Sequence, residues 1–208
     1  MILKEYEPEP IREAEENLRV IRDLMERSTR YSTFSGLSGI CAGLVSILGC
    51  LVQEFWVLSR PAAGQSTAFI ANWSTVVILA IGIDYLLTKR RAPLVGKTIN
   101  SRLGRQMILA SFPGLFTGAL ISLFLLQHGM MDYIYPFWML AYGISVSAVG
   151  LFSQREVGRL GAAFLAAGAI TFGLAALTPH AIGLVMTAVS FGGFHILYGL
   201  TVARRGGW

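Results

Sequence analysis

The stretch TKRRAPLVGKTINSRLGR, residues 88–105, is a basic loop between two apolar segments. It holds six of the 17 Lys and Arg residues of the chain and no acidic residue. Each flanking segment has about 20 residues, the length that a helix needs to cross the hydrocarbon layer of a membrane. Basic loops beside a span stay in the cytoplasm. This loop therefore sets the direction of both neighbouring spans and, through them, of all the others.

The composition is that of an integral membrane protein. Of the 208 residues, 54% are hydrophobic and 14% are charged, against about 25% charged in an average soluble domain. The net charge of +5 does not indicate a nucleic-acid partner, because the basic residues cluster at the ends of apolar segments. The partner that the composition predicts is the lipid bilayer.

The predicted fold is all-α: an integral membrane six-helix bundle of three helical hairpins, preceded by a cytoplasmic N-terminal amphipathic helix. Residues 1–32 form the cytoplasmic part and residues 33–205 the membrane domain. The predicted spans are residues 34–58, 67–87, 106–126, 133–152, 160–177 and 181–202. With this arrangement, 16 Lys and Arg residues lie on one side and Arg60 alone lies on the other. Both termini are therefore expected in the cytoplasm, with the protein in the inner membrane of a cell.

The N-terminal helix, predicted over residues 10–30, carries one apolar stripe. The spacing of three and four residues is that of a coiled-coil seam, although it lasts only about two heptads. The stripe consists of Ile11, Ala14, Leu18, Ile21 and Met25. Two interpretations are open: the stripe packs on the protein's own cytoplasmic face, or it binds a cytoplasmic protein partner or a second copy of the chain.

Glycines in the predicted spans indicate close helix packing. GxxxG pairs let the backbones of two helices approach within a membrane. Such pairs occur at Gly39 and Gly43 and at Gly114 and Gly118, and the last span carries Gly192 and Gly199. Faint similarities between segments, such as FSGL at residue 34 and FPGL at residue 112, leave open whether the three hairpins are repeats.

Two ionisable residues inside the predicted spans could form an intramembrane polar pocket. Charged or titratable groups are costly there and suggest a function by default. Asp84 lies near the cytoplasmic end of the second span and His195 lies deeper in the last one. Asp84 could simply reach towards water, and His195 could be a packing residue with one hydrogen bond. The functional hypothesis is an Asp84–His195 pair that forms a polar pocket or a proton relay.

Four residues near the outer ends of the spans could bind a metal ion. Two imidazoles and two carboxylates make a plausible zinc site. The candidates are Glu54, His128, Asp132 and His180. Their spacing has no motif character, so a solvated role is the alternative. The sequence has no nucleotide-binding loop, GxSxG, HExxH or CxxC motif, and we expect neither a cofactor nor an enzyme.

Two further features concern the membrane surface. Tyr133, Tyr135 and Trp138 at the start of the fourth span are predicted to be interfacial aromatic anchors. In the basic loop, residues 93–103 could form a short helix in the headgroup region, with Lys97, Arg102 and Arg105 towards anionic lipid.

Three segments resemble a functionally uncharacterised bacterial family of six-span membrane proteins with an N-terminal helix of the ENLRxIRxxMER type. They are ENLRVIRDLMERSTRYSTFSG (residues 16–36), SFPGLFTGAL (residues 111–120) and FGGFHILYGLTVARR (residues 191–205). The resemblance implies the six-span fold over nearly the whole chain and no activity. It also implies that such proteins are often encoded beside small winged-helix regulators.

Three functions are compatible with these patterns. The first is a non-enzymatic sensing or scaffolding protein whose N-terminal helix binds a cytoplasmic partner. The second is a small-solute or ion transporter that uses polar groups between the helices. The third and least expected is a metal-dependent membrane enzyme with its site on the outer face.

Overall fold

The computed structural model describes residues 13–21, 35–95, 101–174 and 179–204, and this part of the chain is all-helical. Helix α1 covers residues 13–21. The remaining helices are α2 (Gly36–Val52), α3 (Ala62–Arg91), α4 (Arg102–Gln127), α5 (Ile134–Gly150), α6 (Arg155–Leu174), α7 (Pro179–Thr187) and α8 (His195–Arg204). Turns of π-helix extend α2 (Gln53–Val57) and join α7 to α8 (Ala188–Phe194), and 3₁₀ turns follow α3 (Ala92–Val95) and precede α5 (Met131–Tyr133).

Five helical segments in the described ranges are long and apolar enough to cross a membrane. They are Gly36–Val57, Ala62–Leu94, Arg102–Gln127, Arg155–Leu174 and Ile182–Arg204. The prediction of an all-α, multi-pass membrane protein is therefore confirmed at this level. The predicted fourth span corresponds to α5, which has only 17 residues and is not among the five. Its apolar run is divided, because residues 131–133 form a 3₁₀ turn and residues 151 and 152 form a turn.

Helices α2 and α3 run antiparallel, and so do α4 and α5, whereas α7 continues through the π-helical turns into α8. In the first pair, Asn72 of α3 donates to the carbonyl of Gly49 on α2, 3.0 Å away. Across α4 and α5, Ser145 donates to the carbonyl of Ser111 at 2.9 Å, and Trp138 donates to Ser122 at 2.7 Å. We call the end of the bundle that contains Gly36, Arg91, Arg102, Arg155 and Arg204 the proximal end. The distal end contains Val57, Ala62, Gln127, Met131 and Leu174.

Local signals explain where the helices begin and end. Ser101 caps α4, because its hydroxyl accepts a hydrogen bond from the amide of Gly104 at 3.0 Å. At the other end of α4, Gly129 adopts a φ of 68°, and the amide of Met130 donates to the carbonyl of Leu125 at 2.8 Å. This is the left-handed stop that glycine favours at a helix C-terminus.

Helix α5 lies at the centre of the bundle. Its side chains Ile134, Tyr135 and Met139 are at most 1% exposed, and it packs against α4, α6 and α7. Aromatic rings line it at two levels. At the distal level, Tyr135 and Trp138 pack against Phe69 and Trp73 of α3, with ring centroids 5.1–6.2 Å apart. The centre of the bundle is thus built on α5, which is shorter than each of the five candidate spans.

Two sequence expectations about the membrane surface differ from the structure. Tyr135 is buried at 1% exposure, so it is a core residue and not an interfacial anchor. The expected helix over residues 93–103 is not continuous, because Ala92–Val95 extends α3 as a 3₁₀ turn and Ser101 begins α4. Residues 96–100 lie outside the described ranges.

Large apolar side chains cover the outside of the bundle. Soluble proteins rarely expose contiguous apolar patches of this extent. Helix α4 is the clearest case, with exposed residues on successive turns: Ile108, Leu109, Phe112, Leu115, Phe116, Leu120, Leu123 and Phe124. Lipid is the environment that suits such a surface.

Candidate functional site

The side chain of Asp84 contacts a residue of helix α2. Its carboxyl group makes a hydrogen bond with the side chain of Ser38. The hydroxyl of Ser38 also donates to the carbonyl of Ser35 at 2.8 Å, and both serines are buried. A hydroxyl has one hydrogen, so Ser38 donates either to the carboxylate of Asp84 or to the carbonyl of Ser35, and in the second case its oxygen can accept a hydrogen bond only from a protonated Asp84. The proton on Asp84 and the orientation of the Ser38 hydroxyl are therefore coupled.

His195 makes its hydrogen bond to a tyrosine of the central helix. Its Nε2 lies 2.7 Å from the hydroxyl of Tyr142. Three aromatic rings pack around the imidazole, those of Tyr142, Phe164 and Phe191, with centroids 5.4–6.2 Å from it. The aromatic surroundings exclude water from the ring, so the hydrogen bond to Tyr142 satisfies a group that would otherwise be costly to bury.

The other imidazole nitrogen of His195 has no such partner. Its Nδ1 is buried and makes no hydrogen bond within the described ranges. The carbonyls of Ser190 and Phe191 lie near the ring, but neither meets the geometry of a hydrogen bond with Nδ1. These carbonyls belong to the π-helical segment Ala188–Phe194, which ends directly before His195. Turns of π-helix are rare and are frequent at functional sites.

Asp84 and His195 do not bind each other directly. No hydrogen bond or ion pair joins them in the described part of the chain, and each uses a different partner, Ser38 and Tyr142 respectively. Tyr142 and Tyr198 both lie within electrostatic range of Asp84. The structure thus groups Asp84, Tyr142, His195 and Tyr198 in the proximal half of the bundle, and Tyr142 interacts with both the acid and the imidazole.

The candidate metal ligands are only partly brought together. Glu54 and Asp132 both lie within electrostatic range of Tyr135. His128 instead folds back on its own helix: its Nδ1 lies 2.8 Å from the carbonyl of Phe124. Among the residues that the structure describes, no three His, Cys, Asp or Glu side chains form a group that could hold a metal. The side chain of His180 lies outside that description.

The predicted partner stripe is exposed where it is described. All residues of α1 are exposed, and Leu18 and Ile21 are 65% and 51% accessible to solvent. Ala14 is exposed as well. Ile11 and Met25 lie outside the described ranges. On residues 13–21 the stripe does not pack on the protein's own membrane domain.

The predicted packing glycines lie at two close helix contacts. Helix α2 packs against the π-helical segment and α8: a methyl group added at Gly43 would lie 2.6 Å from the carbonyl oxygen of Gly192, and one at Gly39 would lie 3.1 Å from Cα of Gly199. In the contact between α4 and α5, one added at Gly118 would lie 2.8 Å from Cβ of Ala141. Gly114 faces Ser145 in the same contact.

Sequence reasoning missed the partners of the titratable residues. Tyr142 follows Tyr135 by seven residues, so two helical turns place both rings on one face of α5. This spacing could have identified the face of α5 on which Tyr142 lies. Ser38 carried none, because a serine in an apolar helix is common in membranes. No family model, no curated protein and no solved structure matches the chain.

Proposed function

We propose that the chain is a non-enzymatic six-span membrane protein that senses or scaffolds, and that it presents helix α1 to a cytoplasmic protein partner. The observation that carries the proposal is the exposure of Leu18 and Ile21 on α1. An apolar stripe that is left uncovered by its own chain is the usual form of a helix that binds a groove or a second helix. The titratable side chains around Asp84 and His195 could let the membrane domain sense protons, because their protonation can change with pH.

Two arguments support a sixth crossing by α5. It packs antiparallel to both α4 and α6: Gly150 meets Gly158, and Gly143 meets Leu165. Its 17 residues span about 25 Å at about 1.5 Å per residue. The preceding 3₁₀ turn, Met131–Tyr133, adds about 6 Å at about 2 Å per residue. The total matches the hydrocarbon thickness of about 30 Å.

The distribution of charge supports the orientation. With six crossings, the proximal end carries 16 of the 17 Lys and Arg residues, and Arg60 alone lies at the distal end. The positive-inside rule then assigns the proximal end and both termini to the cytoplasm. The resemblance in sequence to a bacterial family favours the inner membrane of a bacterium as the location.

Paired substitutions on α1 test the partner hypothesis. Leu18→Glu with Ile21→Glu places two negative charges on the stripe, whereas Val20→Glu places one negative charge on the opposite face, where Val20 is 52% exposed. The full-length proteins are crosslinked in intact cells and purified with whatever is bound. We expect one cytoplasmic protein to be captured by the native chain and by Val20→Glu. The double variant should not capture it. Equal capture by all three would refute the hypothesis, and crosslinking only to a second copy of the chain would assign α1 to self-association.

A second function, small-solute or ion transport, is favoured by one observation: Asp84 and His195 are titratable groups between the helices of a membrane domain. It is tested by proton flux into liposomes that contain the purified protein and a pH-sensitive dye. Transport requires that Asp84→Asn or His195→Ala abolish the flux and that Asp132→Asn, at the distal end, leave it intact. No flux above that of empty liposomes would remove proton transport.

A further inference from the structure

The start of helix α4 carries two arginines with no acidic partner. Arg102 and Arg105 lie one turn apart and are both exposed. Within the described ranges, neither guanidinium group makes a hydrogen bond or an ion pair. The surrounding sequence, residues 88–105, contains no acidic residue. Two positive charges are thus held close together at the proximal end without a counter-charge.

A shallow, open groove of about 300 Å³ lies beside these arginines, along one face of α4. Its lining changes along the helix: Arg102 and Arg105 come first, then the amide of Gln106, and then the apolar side chain of Leu109. Seven residues of helix separate Arg102 from Leu109, a rise of about 10 Å. The groove therefore runs from a charged end to an apolar end over the depth at which lipid headgroups meet acyl chains.

The apolar end of the groove continues as an exposed strip. Leu109 and Phe112 are 69% and 60% exposed. Phe112 stacks on Phe116 with ring centroids 5.5 Å apart and planes 16° apart, so the two rings form one continuous apolar surface. A hydrocarbon chain that lies along this strip would stay in contact with α4 as it extends into the membrane.

We propose that the groove of Arg102, Arg105, Gln106 and Leu109 binds an anionic phospholipid. The guanidinium groups and the amide of Gln106 bind the phosphate and the polar headgroup, and an acyl chain follows Leu109, Phe112 and Phe116. Guanidinium groups bind phosphate oxygens in pairs, and basic clusters at the cytoplasmic surface attract anionic lipid. The backbone at the start of α4 is not part of the site, because Ser101 already accepts the amide hydrogen of Gly104.

The chain offers a matched control at the start of α6. Arg155 and Arg159 lie one turn apart at the same end of the bundle, but Glu156 lies between them in the first turn. A carboxylate beside the two arginines reduces their attraction for a phosphate. Removing these charges changes the net charge of the protein by the same amount as removing Arg102 and Arg105.

Native mass spectrometry of the full chain in detergent tests the proposal, with phosphatidylglycerol and phosphatidylcholine of identical acyl chains as probes. Each arginine near the surface contributes about a factor of five, so Arg102→Gln with Arg105→Gln should weaken phosphatidylglycerol binding about 25-fold. Phosphatidylcholine binding should weaken less, because its choline cation cancels the charge of its phosphate. Arg155→Gln with Arg159→Gln should weaken phosphatidylglycerol binding less than Arg102→Gln with Arg105→Gln, because these arginines do not line the groove and Glu156 lies between them. Equal losses for the two double variants, or equal losses for the two lipids, would overturn the proposal.

Two further measurements cover the remaining outcomes. Arg102→Lys with Arg105→Lys keeps the charge and removes the paired geometry, so it should show an intermediate loss and unchanged thermal unfolding. If this variant binds like the native chain, the paired guanidinium geometry is refuted. Excess inorganic phosphate should not displace the lipid, because it lacks the acyl chains that contact Leu109. Full displacement by phosphate alone would show a plain anion site and contradict a lipid site.

Discussion

The hydroxyl of Tyr142 lies 2.7 Å from Nε2 of His195, although 53 residues separate them in the chain. This hydrogen bond connects the central helix α5 to the last helix, α8, directly after the π-helical segment Ala188–Phe194. It satisfies one of the two imidazole nitrogens and leaves Nδ1 without a partner in the described part of the chain. The pair is therefore a buried polar contact that joins α5 to α8 in the proximal half of the bundle.

Removing one member of this pair should destabilise the protein more than removing both. Tyr142→Phe leaves the imidazole without its partner, and His195→Leu does the same to the phenol, at a cost of about 1–3 kcal/mol each. The double variant buries no orphaned group and should be close to the native chain in stability. Thermal unfolding in detergent measures the cycle, with Tyr85→Phe on the exposed face of α3 as the control. Strictly additive losses would show that the two residues act independently.

Asp84 should be protonated in the folded protein. Only a protonated carboxyl group can donate to Ser38 while Ser38 donates to Ser35. Asp84→Asn supplies a donor of the same shape and should leave the melting temperature nearly unchanged, whereas Asp84→Leu should lose about 0.5–1.5 kcal/mol. The infrared difference spectrum between the native chain and Asp84→Asn should contain the carbonyl band of a protonated carboxylic acid. A carboxylate band in its place would contradict the prediction.

Two glycine substitutions should change stability in opposite directions. A methyl group at Gly199 would contact the backbone of Gly36 and lie 2.7 Å from the amide nitrogen of Ile40. Since the backbone cannot move aside, Gly199→Ala should destabilise the protein by about 1–3 kcal/mol. Gly82 is also helical and has no atom within 4 Å of an added methyl group, so Gly82→Ala should stabilise by about 0.5–1 kcal/mol. Thermal unfolding of both variants decides whether the contact of α2 with α8 is as close as described.

Cysteine labelling should show whether α5 crosses the membrane. In a background with Cys41→Ala and Cys50→Ala, His128→Cys probes the loop before α5 and Gln154→Cys probes the turn after it. An impermeant maleimide should label His128→Cys in cells with a permeable outer membrane, and it should label Gln154→Cys only after the inner membrane is opened. Ser59→Cys, at the distal end between α2 and α3, should behave like His128→Cys. Identical labelling at positions 128 and 154 would show that α5 does not cross.

Local features of the chain were predictable from the residues. The ends of α4 follow from Ser101 and Gly129, which have the side-chain and backbone properties that begin and stop a helix. The positions of the long helices follow from runs of apolar residues, because only a helix satisfies its own backbone in lipid. The 3₁₀ turn before α5 was not predictable, since an acid between two large side chains, Asp132 between Met131 and Tyr133, suits a loop as well as a helical turn.

Which residues meet across the bundle was decided by the tertiary structure alone. A membrane helix is apolar on all sides, so its sequence does not show which face meets another helix and which meets lipid. Asp84 and His195 were the right residue types for a polar pair, yet they bind Ser38 and Tyr142. By itself, the sequence determined that helices form, roughly where the long apolar helices lie and which ends of them carry the positive charge. The observed ends differ from the predicted ones by several residues, as in α3 (Ala62–Arg91 against 67–87). The packing of α2 on α8 and of α5 among its neighbours determined the partners, because contacts between distant helices depend on shape rather than on local composition.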